Sequence, residues 1–67
     1  MSEDWVLIFE TNKDFEAELI KGMLKEHDIE VFVMNKQDSL YLIGNFELYV
    51  TRDDVMRAKT LILNYNA

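Results

Sequence analysis

The chain has 67 residues, of which 49% are hydrophobic; it contains no cysteine or proline and sets 13 acidic against 7 basic residues, a formal net charge of −6. That length fits one domain over 1–67, small enough to bury only about 60% of the surface its unfolded form exposes. The composition excludes a disordered chain and any disulfide or thiolate metal site. The acidic balance repels phosphate backbones and argues against a nucleic-acid partner.

The longest unbroken apolar run, 5–9, is far below the roughly 20 residues of a membrane span. The first residues, Met-Ser-Glu-Asp, are acidic where a secretory leader is basic. The expectation is an intracellular, cytoplasmic protein that makes no membrane contact.

Residues 5–10 have the composition and length of a strand. Thr11 or Asn12 then caps a helix, Asp14 standing three residues after Thr11 in a capping-box-like arrangement. The spacing predicts a helix to about residue 27, with Ala17, Ile20 and Leu24 as its buried stripe and Met23 beside them. Asp28 follows where a left-handed residue would end the helix, a conformation aspartate tolerates better than most. Gly22, inside the helix, suggests close approach to a neighbouring element.

A second strand is predicted over 30–34 and a third over 46–50, joined through a polar segment, 35–39, and then Leu40-Tyr-Leu-Ile. Thr51 caps a second helix, with Asp53 and Asp54 in its first turn against the positive end of the dipole. Asp53 and Arg57 are spaced as an i,i+4 pair. Val55, Ala58, Ile62 and Tyr65 form that helix's apolar stripe, with Leu61 beside it. The order β-α-β-β-α is an α+β, ferredoxin-like split βαβ sandwich lacking its last strand: a three-stranded antiparallel sheet with two helices on one face.

The run Phe15-Glu-Ala-Glu-Leu-Ile-Lys-Gly-Met-Leu, then Asp28-Ile-Glu-Val-Phe-Val, then Val50 before an acid-rich second helix, resembles a small bacterial family. Its members are described as putative prokaryotic signal-transducing proteins, and their fold resembles that of the nitrogen-regulatory PII proteins. The resemblance runs from about residue 8 to 63. It implies a PII-like fold and a signalling role, and it brings no catalytic residues. The family commonly has glycine where Asp28 stands. PII proteins use the connection between strands two and three for effector and partner contacts. Here that connection, 35–45, is shorter and holds one glycine, so nucleotide binding of the PII type is not expected.

Candidate chemistry is sparse. His27, the single histidine, sits where a helix end favours positive charge and has no nameable orienting partner for general-base work. Asp53 and Asp54 read as dipole compensation. Glu26, Asp28 and Glu30 cluster at a turn, without the tight glycine-bearing loop and the six to eight oxygen ligands that calcium takes. Ser39 lacks a nearby histidine and the glycines of a nucleophile elbow. The expectation is a protein with no catalytic residues, no metal and no cofactor.

The sharper signal lies in the strands. Val31 and Val33 face one way and Phe32 and Met34 the other; Phe46, Leu48 and Val50 oppose Glu47 and Tyr49. Two helices cover one sheet face, which leaves Trp5, Leu7, Phe9, Phe32, Met34 and Tyr49 as a candidate self-association face. Strand one, without a fourth strand beside it, adds an exposed edge. A homodimer is the first expectation. The alternative is that 40–43 or 64–67 folds over that face.

Lys36, Gln37, Asp38, Ser39 and Tyr41 form a candidate loop for a protein partner or small effector, the connection being longer than the 2–5 residues usual in hairpins. The functional expectation is a non-enzymatic regulatory binding module. The alternatives are a structural assembly or adaptor subunit, and an RNA-binding sheet using Trp5, Phe9, Phe32 and Tyr49.

Overall fold

The computed structural model describes residues 4–36 and 46–66. In chain order the elements are β1 (Trp5–Thr11), α1 (Asp14–Glu26), β2 (Phe32–Asn35), β3 (Phe46–Thr51), a short 3-10 turn (Arg52–Asp54) and α2 (Val55–Asn66). The three strands form one sheet in the order β1-β3-β2, and β3 is antiparallel to both neighbours. The fold is therefore the α+β arrangement β-α-β-β-α, with β1 and β2 as edges and the place of a fourth strand, beside β1, open among the described residues.

The core lies between the sheet and the helices. Leu48 and Val50 of β3 are fully buried, as are Ile20 and Leu24 of α1, Ile29 after it and Ala58 of α2, while Ala17, Phe46 and Ile62 are nearly so. Val33 of β2 and Val55, Leu61 and Met23 pack on its margin. The α1 stripe is the one the 3.6-residue period selects. On α2 the stripe stops at Ile62, because Tyr65 is 47% exposed, against the expectation that it would be buried.

Both helix starts differ from the sequence reading. Thr11 remains in β1, paired opposite Phe46, and lies two residues ahead of the cap position, because α1 begins only at Asp14. Its hydroxyl accepts the Lys13 N–H at 3.1 Å and donates to Glu16 Oε1, closing a local turn instead. Lys13 is the residue before α1, and no side chain caps it. Thr51 likewise precedes the 3-10 turn without a side-chain cap. Arg57 pairs with Asp54 at 3.1 Å, an i,i+3 contact, in place of the expected Asp53.

The end of α1 follows expectation closely. Asp28 takes φ 64°, its N–H bonds the Lys25 carbonyl at 3.0 Å, and the Ile29 N–H bonds that of Leu24 at 3.1 Å. This is a Schellman motif with its apolar clasp, Ile29 against Leu24 in the core. Gly22 is a correction: among the described residues a methyl group there would meet nothing within 4 Å, so no close approach by them explains it. Strand β2 is also shorter than expected at its start, beginning at Phe32.

Candidate binding face

The register decides which side chains share the uncovered side of the sheet. Leu7 stands opposite Tyr49, and Tyr49 opposite Phe32, so these form one cross-strand row. The next row is Glu10, Glu47 and Met34. Directly opposite residues in antiparallel strands project to the same face. No helix packs there among the described residues, and Trp5 and Leu7 remain 40% exposed, Phe32 47% and Met34 37%.

Phe9 does not belong to this face. A bulge between Leu7 and Phe9 inserts Ile8 as an extra residue, so Phe9 pairs opposite Leu48. A bulge shifts the alternation by one, and both Ile8 and Phe9 pack against the core. The period-2 reading of β1 thus holds for Trp5 and Leu7 and fails one residue later.

The aromatic rings are in contact. The Trp5 and Phe32 centroids lie 5.9 Å apart at 47°, and those of Phe32 and Tyr49 lie 6.1 Å apart at 50°, the tilted geometry that ring quadrupoles favour. With Met34 they line a shallow apolar depression of about 330 Å³.

The polar end of the face is ordered by Glu47, which is 8% exposed. Its Oε1 accepts the Tyr49 hydroxyl at 2.7 Å and lies 3.4 Å from Lys36 Nζ. The Tyr49 hydrogen bond holds the Glu47 carboxyl below its ordinary value, with Lys36 assisting and desolvation opposing. The same bond, with burial, pushes the Tyr49 phenol above its ordinary value. The sequence places Glu47 and Tyr49 on one side of β3 but gives no sign that the carboxylate is shielded. Lys36, directly after the end of β2, pairs with that carboxylate.

Of the candidate loop residues, Lys36 therefore ties the loop's root to the sheet, while Gln37, Asp38, Ser39 and Tyr41, like 40–43 invoked as a cover, lie outside the described residues. Of the other proposed cover, 64–67, residues 64–66 continue α2, and Ala67 lies outside the described residues. His27 ends α1 as an exposed capping residue, and Glu26, Asp28 and Glu30 are all exposed. Among the described residues no group of three or more potential ligands could hold a metal ion, and no helix is long and apolar enough to cross a membrane.

No curated protein and no solved structure matches the chain. The sequence profile of one family, described as "Putative prokaryotic signal transducing protein", matches residues 5–66. That span includes every element of the fold and all five side chains of the open apolar face, and the chain belongs to this prokaryotic family.

Proposed function

We propose that the protein is a non-enzymatic regulatory module that acts by protein–protein contact through its open sheet face. One observation carries this reading: Trp5, Leu7, Phe32 and Met34 stand exposed on the side of the sheet opposite the helices, with the half-buried Tyr49 ring against Phe32. Large apolar side chains left together in this way mark an interaction surface. The family description supports a signalling role.

A second copy is one occupant. With aromatic side chains offering roughly 200 Å² each, the exposed apolar area of this face is on the order of 400 Å², about half of what each partner buries in a standard complex. Each copy also carries −6. The homodimer is accordingly weak and concentration-dependent. The bulge at Ile8 distorts the β1 edge and disfavours edge-to-edge pairing, so the contact is face to face.

Light scattering over a dilution series tests this against the 8.0 kDa chain mass. The double variant Phe32→Asp, Tyr49→Asp should remain folded by circular dichroism and stay monomeric at concentrations where the wild type associates. Association unchanged in that variant would remove the face from the interface.

A further inference from the structure

The open face has a polarity of its own. The central row is apolar across all three strands, Leu7–Tyr49–Phe32, while the next row sets Glu10 directly against Glu47 with Met34 beside them. Like charges placed opposite each other in a ladder destabilise it. Here Lys36 pairs with one of the two carboxylates, lying 3.4 Å from Glu47, while Glu10 is exposed. Beside the Trp5 end of the sheet Arg52 pairs with Asp4. An incoming positive charge thus finds its best place at the Glu10 end, beside the aromatic depression.

We infer that this face docks a basic amphipathic segment of another protein, laying apolar side chains on Trp5, Phe32 and Met34 and a lysine or arginine on the Glu10–Glu47 pair. The inference rests on the reading of the face as the working surface and names its partner. Charge complementarity selects this occupant over a second copy. Another copy brings the same carboxylates and a further −6, whereas a basic segment sets a cation beside the exposed Glu10 and adds long-range attraction. Cations also bind well over exposed tryptophan and tyrosine faces.

Trp5, the single tryptophan, lies in the depression and reports occupancy directly. The probe is a synthetic helical peptide of alternating leucine and lysine faces, titrated into the intact chain while Trp5 emission is followed. Two controls accompany it: the same peptide with glutamate for lysine, and a scrambled peptide of equal charge without an apolar face. The expected result is a saturable blue shift with the amphipathic lysine peptide alone. Glu10→Gln should weaken it by about threefold or more, while Glu18→Gln, an exposed carboxylate on α1, should leave it within error.

Equal response to the glutamate or scrambled peptide would overturn the inference, as would equal loss in the Glu10 and Glu18 variants. If no peptide shifts Trp5 while light scattering still shows association lost in the Phe32/Tyr49 variant, the face is an interface of different chemistry. If both readouts are flat, the face is not the working surface, and the proposed function falls with the inference.

Discussion

Two residues, one inside α1 and one just past its end, are the wrong way round for stability. Gly22 occupies a helix interior where no described residue approaches within 4 Å of an added Cβ, and Asp28 occupies a left-handed cap at φ 64° that glycine fills without strain. Replacing Gly22 with alanine should raise stability by up to about 1 kcal/mol, since it restricts the unfolded chain and meets no clash. Asp28→Gly should add about 0.5–1 kcal/mol by relieving the αL penalty, less the entropy glycine gives the unfolded state. Urea midpoints at constant slope measure both. A loss of stability in Gly22→Ala would mean that some contact in solution, such as a partner helix, needs that gap. The cap at Asp28 was legible because aspartate follows a periodic run that ends abruptly. The open surroundings of Gly22 were not, since the sequence shows a missing side chain and not what lies around it.

At the level of elements, alternation in β2 and β3 fixed which side chains meet the core, because a strand of regular pleat has no other choice. In β1 the same rule broke at Ile8. Trp-Val-Leu-Ile-Phe is apolar at every position, so no polar residue marks where the extra one is inserted, and Phe9 crossed to the covered side. The two capping errors differ: Thr11 ends β1 two residues ahead of the cap position at Lys13, whereas Thr51 does stand at the cap of the 3-10 turn and makes no side-chain cap bond there. Across the strands, Lys36, Glu47 and Tyr49 form one network whose pH response follows from its bonds. Glu47 sits below its ordinary 4.5 chiefly because Tyr49 donates to it, so its contribution is present above that value and fades as pH falls through the lowered one. Tyr49 sits above its ordinary 10.0, so the phenol's contribution holds below 10.0 and is lost as pH rises towards the raised value. In a Tyr41→Phe, Tyr65→Phe background, ultraviolet titration should find Tyr49 ionising later than free tyrosine. Glu47→Gln should move that titration down, since the charged acceptor that favours the phenol is gone. An unmoved titration would mean the bond does not persist in solution.

At the scale of the whole molecule, shape and charge act together. The Cα envelope measures 35 × 32 × 15 Å, one sheet and one helical layer thick, so acids on the outer side of the helices lie close behind the open face. Around 0.01 M salt the Debye length is about 30 Å and exceeds that thickness, whereas at 0.15 M it is about 8 Å and reaches only the rim. Two copies meeting through their sheet faces at low salt therefore feel most of each other's −6, and at physiological salt chiefly the Glu10–Glu47 ends. The apolar contact itself changes little over this range, being set by area removed from water. Self-association should consequently strengthen as salt rises from about 0.01 to 0.15 M, and the basic peptide should bind more weakly over the same interval. Sedimentation equilibrium at both salt concentrations, beside the Trp5 titration, reads the two slopes. Opposite signs are required if one acidic, apolar face serves both contacts. Association that weakened with salt would place an ion pair, and not the aromatic row, at the centre of the contact between copies.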